Sequence, residues 1–150
     1  MKSSVILILM IALTALASEI DLVYIEPGFS AFHVEKFEVN DDPIESIFSK
    51  LSNPPHGYLS FVPPNVLRTY FILEDTIVLD LKKKPLEGLD FDGERYFLYQ
   101  ILSSIFLSFD FENVKIIIDG KDSDVLVSEV DLRFSFTRSA WIDWIEEMIR

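Results

Sequence analysis

The sequence contains no cysteine and only two histidines, His33 and His56, in 150 residues. Missing cysteine excludes a disulfide framework, a thiolate nucleophile, a cysteine-held metal and a lipid anchor on a lipobox cysteine. Neither G-x-S-x-G, H-E-x-x-H nor a P-loop occurs, so the usual local signatures of serine hydrolases, zinc proteases and nucleotide-binding enzymes are absent. Basic residues are scarce too, with 13 Lys+Arg against 25 Asp+Glu. That imbalance repels phosphate backbones and anionic headgroups, which argues against nucleic acid and direct membrane-surface binding.

Long apolar runs are confined to the N-terminus. MKSSVILILMIALTALAS has the three parts of a secretory signal: Lys2 as the positive region, Val5 to Leu13 as the apolar region, and Ala15-Leu16-Ala17 as the cleavage site. Thr14 interrupts the run, which falls short of the roughly 20 residues a transmembrane helix needs. Residues 1–17 therefore read as a signal peptide and residues 18–150 as one exported domain, with membrane attachment only through the signal segment if it stays uncleaved. Hydrophobic residues make up 49% of the chain, enough for one compact core. Thirteen Phe, five Tyr and two Trp are expected to supply much of it, in place of disulfides.

Along this domain, Ile20–Ile25 is an apolar β run ending at the Pro27-Gly28 turn, and Phe32–Val39 alternates, with a one-residue slip at Lys36, to pair with it. Asp42-Pro43-Ile44-Glu45 starts a helix, with Asp as N-cap and Pro at the first position. Its apolar face is Ile44, Ile47, Phe48 and Leu51, and Asn53-Pro54-Pro55 ends it. Leu67–Leu73 and Thr76–Leu81 form a hairpin around Glu74-Asp75, a poor type I′ pair. From about Asp92 to Phe109 runs the longest amphipathic helix, with Phe97, Ile101 and Ile105 inward and Glu94, Arg95, Gln100, Ser103, Ser104 and Ser108 on the opposite face. Val114–Ile118 reads as a central buried strand and Val125–Phe136 as further strand material. Ser139 is placed to cap a last helix carrying Trp141, Trp144, Ile145 and Met148. The expected order is β-β-α-β-β-α-β-β-α. It predicts a single α+β domain with a mixed, largely antiparallel sheet and helices packed on one face.

Four stretches of this order resemble a known family. A helix closing in FSKLSNPP leads to the hairpin LRTYFILEDTIVLDL; the helix GERYFLYQILSSIFLSF and the strand VKIIIDGK follow. This is similar to the GerMN domain, the sporulation and spore-germination domain, over roughly Val23 to Lys121, with Ile118-Asp119-Gly120-Lys121 the sharpest match. The family's serine after Asp-Leu is Lys82 here, and its Thr-rich helix segment is Leu102-Ser103-Ser104. The resemblance implies a ring-building-motif-like fold and a non-enzymatic module of the cell envelope. The partners expected are envelope proteins or further copies of the chain, with no cofactor; the resemblance does not by itself imply sporulation.

Candidate sites are few. Tyr58 and Phe61 lie in a Pro-rich loop whose composition suits contact with a peptide, glycan or protein, or which folds its aromatics inward as a lid. Lys82-Lys83-Lys84 reads either as a solvated strand end that discourages edge pairing or as a docking spot for an acidic partner. Asp90 to Glu94 and Asp119 to Asp124 gather oxygen ligands of the kind calcium takes, but neither has the EF-hand spacing, and solvated turns are the simpler reading. The function these features favour is an exported envelope module working through protein contacts. The alternatives are a small glycan- or peptide-binding protein and, behind it, a carboxylate hydrolase.

Overall fold

The computed structural model describes residues 18–149, with side chains to residue 144. The signal peptide expected over residues 1–17 lies outside the described residues, as do the side chains of Ile145 and Met148. The elements are β1 (Ser18–Ile25), β2 (Phe32–Val39), α1 (Pro43–Leu51), β3 (Leu67–Leu73), β4 (Thr76–Leu81), α2 (Lys83–Leu86), α3 (Phe91–Ser108), β5 (Asn113–Ile118), β6 (Phe136–Thr137) and α4 (Arg138–Ile149).

The strands form two sheets. β1 and β2 make an antiparallel hairpin of their own, and the other four run in the order β3-β4-β5-β6. In that second sheet β4 and β5 are parallel, while β3 and β6 flank them antiparallel. Alternation sends Ile77, Leu79 and Leu81 of β4 and Val114, Ile116 and Ile118 of β5 to one face. There they share one core with Ile44, Ile47, Phe48 and Leu51 of α1 and Phe97, Ile101 and Ile105 of α3. Helices thus cover one face of a mixed sheet in an α+β fold.

Local chemistry sets the ends of the elements. Asp42 Oδ1 accepts from the Ile44 and Glu45 amides with Pro43 following, the N-cap read from the sequence. Asp42 Oδ2 accepts from the Tyr70 hydroxyl at 2.6 Å, which ties α1 to β3. That hydrogen bond, with burial, pushes the Tyr70 phenol up to about 12. In the β3–β4 turn only Glu74 enters the left-handed region (φ 54°), so the pair is not type I′.

Several expectations need correction. The register of β1 with β2 runs without a slip, Lys36 facing Asp21. α3 begins one residue earlier than read, capped by Asp90, whose carboxylate accepts from the Gly93 amide. β5 buries alternate residues rather than both faces. Residues 125–135 are not a strand; beyond an isolated bridge between Val125 and Asp131 they form a loop, because the amides of residues 127–130 are taken by a side chain instead of a ladder. Thr137 rather than Ser139 caps α4, its hydroxyl accepting from the Ala140 amide.

The largest departure concerns the polar face of α3. Glu94, Gln100, Ser103 and Ser104 are buried, not solvated. The edge of β1 away from β2 lies against this face. Asp21 N donates to Ser108 Oγ, Val23 N to Ser104 Oγ, and Gln100 Nε2 to the Val23 carbonyl at 2.9 Å. Ile25 exchanges both backbone bonds with Leu59. The helix side chains therefore satisfy a strand edge that would otherwise be buried and unpaired.

Candidate functional site

Two surfaces carry the residues singled out in the sequence, and the structure adds a third. The first is the loop after α1. Gly57 takes φ +91°, and the Tyr58 amide donates to the Pro55 carbonyl. The turn lays the Tyr58 ring on His33 (4.4 Å between centroids, 11° between planes) and beside Tyr24. Phe61 stacks on Tyr96 at 5.1 Å and meets Phe29 at 5.9 Å. Its amide donates to Gln100 Oε1 at 2.7 Å, which fastens the loop to α3. Tyr58 and Phe61 are thus half-buried members of two aromatic clusters, Tyr58 with Tyr24 and His33, and Phe61 with Tyr96 and the exposed Phe29.

The second surface is the end of the sheet where parallel β4 and β5 finish. Asp80, 2% exposed, is held from both sides: Arg68 reaches Oδ2 at 2.5 Å and the Gly120 amide donates to Oδ1 at 2.9 Å. Asp119 donates its amide to the Leu81 carbonyl and accepts from the Lys83 amide through Oδ1. Gly120 has φ +76°, and a Cβ there would sit 2.9 Å from Arg68 Nη1. The Asp80-Leu81 and Asp119-Gly120 motifs, far apart in sequence, are two halves of one closed corner.

Around this corner the side chains of Lys82, Lys83, Lys84 and Lys121 are exposed, with Arg68 beside them. Lys82 follows β4 and donates its amide to the Val66 carbonyl, and Lys83 and Lys84 open the one-turn helix α2. The three lysines do not guard a sheet edge, because β4 is an inner strand paired on both sides. They form, with Arg68 and Lys121, a cationic corner on an acidic molecule.

The third surface, not singled out from the sequence, is β3 itself. It is the first strand of its sheet, and among the described residues nothing pairs with its outer edge. Phe71, Ile72 and Leu73 are 43%, 51% and 60% exposed. Hairpin patterning announced the strand, but only the strand order leaves it at the rim.

The acidic turns have structural duties. Glu94, fully buried in the first turn of α3, accepts from the amides of Val127, Ser128, Glu129 and Val130 and from the Ser128 hydroxyl. Burial works against its charged form, and the four backbone donors outweigh it and hold the carboxyl below the usual glutamate range. Arg138 spans the other end of α3, donating to the carbonyls of Phe106, Phe109 and Phe111. Among the described residues no three acidic or histidine side chains converge to hold a metal ion, and no helix is long and apolar enough to cross a membrane.

The family model for sporulation and spore germination, Germane, matches residues 22–124, more than half of the chain. The chain belongs to this family. Among solved structures, the Germane chain is similar to the tandem GerMN domains of the sporulation protein GerM from Bacillus subtilis. There the TM-score is 0.68 at 12% identity, over 83% of this chain and 47% of that one. The first GerMN domain of the same protein gives 0.63 at 13% identity, over 81% and 98%. A candidate lipoprotein from Clostridium perfringens gives 0.53 at 21% identity, over 81% and 89%. At these identities the likeness is one of fold. No curated protein matches the chain. The corner built by Asp80, Asp119 and Gly120 lies inside the matched span, and the loop and helix beyond residue 124 lie outside it.

Proposed function

We propose that this Germane-family chain is an exported, non-enzymatic module that works by binding other proteins in a cell-envelope assembly. The observation that carries this reading is where the distinctive chemistry goes. The buried acids Asp80 and Glu94 are saturated by structural donors, whereas the surface presents an open apolar strand beside a cationic corner. Such a surface offers backbone pairing and charge steering to a protein partner. The fold likeness to a candidate lipoprotein and to a sporulation protein supports placement in the envelope.

The test is crosslinking in the native cell. A photo-reactive residue replacing Lys83, which is exposed at the corner, is expected to trap a defined envelope protein, and one replacing Lys50 on α1 is not. Equal trapping from both positions, or none from Lys83, would count against the corner as the contact.

A further inference from the structure

We infer that β3 is the interface between two copies of this chain, joined edge to edge as an antiparallel, two-fold pair that continues the four-stranded sheet into its partner. Two independent observations lead there. The first is the edge. From Thr69 to Leu73 it carries no charge and no proline, and Phe71, Ile72 and Leu73 are about half exposed on it. Natural edges are normally blunted by lysine, proline or a bulge; the one bulge here lies between Leu67 and Thr69, at the far end from the apolar stretch.

The second observation is the distribution of charge along the strand. At one end is the exposed tip Glu74-Asp75; at the other is the cationic corner of Arg68, Lys82, Lys83, Lys84 and Lys121. Two acids of that corner are already engaged: Asp80 binds Arg68, and Asp119 accepts from the Lys83 amide. Tip and corner are about 20 Å apart, the length of a seven-residue strand. An antiparallel pair about the Tyr70–Phe71 midpoint sets each acidic tip beside the other copy's basic corner, twice by symmetry. A parallel pair sets acid on acid and base on base. The charge pattern therefore selects the two-fold arrangement, while the backbone edge and Phe71 supply its centre.

This self-pairing goes beyond the envelope reading and is separable from it. It can fail while the Lys83 crosslink still traps a different envelope protein, and it can hold where no such protein is found.

The experiment uses full-length protein and two charge-reversed variants. One is Glu74→Lys with Asp75→Lys, which makes tip and corner both basic. The other is Lys82→Glu with Lys83→Glu and Lys84→Glu, which makes both acidic. By sedimentation over a dilution series the natural protein is expected to dimerise. Each variant alone is expected to associate about tenfold or more weakly, from like-charge repulsion at two contacts. An equimolar mixture of the two is expected to regain a heterodimer, which also shows that both variants are folded. Amide exchange from Thr69 to Ile72 is expected to slow as the natural protein is concentrated. A natural protein that stays monomeric overturns the proposal. So does a mixture no tighter than its components, or a dimer whose β3 amides gain no protection.

Discussion

Glu94 shows how one side chain can decide the path of a distant segment. Its carboxylate gathers four successive amides from a loop more than thirty positions later, so the β-branched residues at 125–130 never form the strand their composition suggests. Sequence reading places Glu94 on the polar face of α3 because helical periodicity sorts residues by polarity alone. Nothing in its spacing announces the loop. Replacing Glu94 with Gln puts an amide group where donors converge and is expected to cost about 3 kcal/mol, read as a lower urea midpoint at neutral pH. The pH dependence has a definite sign. The carboxyl is lowered in the folded state, so its contribution is complete above the unfolded value of about 4.3 and is lost as pH falls through the folded one. The gap between the natural protein and Glu94→Gln is therefore expected to narrow below that pH. A gap that stayed constant into acid would mean that the carboxylate charge is not what holds the loop.

At the level of elements, the hairpin β3–β4 and the helix α1 were legible almost to the residue, since Asp42, Pro43, Pro54 and the Glu74-Asp75 break mark their limits locally. The polar stripe on α3 was not. Ser104 and Gln100 looked like a water-facing row because periodicity reports polarity, not the partner that satisfies it. Only the arrival of β1 as a separate layer turns them into hydrogen-bonding groups of the interior. The Leu102-Ser103-Ser104 segment, which departs from the family's Thr-rich helix at this place, thereby gains a physical purpose: Ser104 binds the strand and Ser103 accepts from the Trp141 indole at 3.0 Å. Ser104→Ala leaves the buried Val23 amide without an acceptor and is expected to cost about 1–3 kcal/mol. Hydrogen exchange at Val23 should accelerate relative to Ile20. If both amides kept their rates, the side-chain attachment of β1 would not be what stabilises it.

For the whole molecule, the matched family span ends before the structure does. Leu126, Leu132 and Trp141, all beyond residue 124, are buried in the common core. The same segment grips α3 through Glu94 near its first turn and through Arg138 on the carbonyls at its end. It thus acts as a clamp on the central helix, not an appendage. A chain stopped after Asp124 would expose Leu98, Leu102 and Phe106 of α3 to water. It is expected to lose cooperative thermal unfolding and to be cut within α3 by trace protease, whereas a fully cooperative melt would make the segment dispensable. The order of strands, which leaves β3 at the rim, could not be read from one sequence, because a hairpin pattern specifies its own two strands and not its neighbours.

The attachment of β1 to α3 also sets a limit of commensurability. Four helical residues advance about 6.0 Å, whereas two strand residues advance about 6.7 Å, so a strand laid along a helix drifts out of step by about 0.7 Å per repeat. Like the scales of a vernier, the two rulers coincide only over a short reach. Ser108 meets Asp21 and Ser104 meets Val23, but at the next step the shorter ruler has fallen behind, and position 100 carries a long glutamine that reaches back to the Val23 carbonyl. Ile25 is passed to the backbone of Leu59 instead. The mismatch of the two repeats thus limits how much of the strand serine can hold and assigns the remainder to the Pro-rich loop.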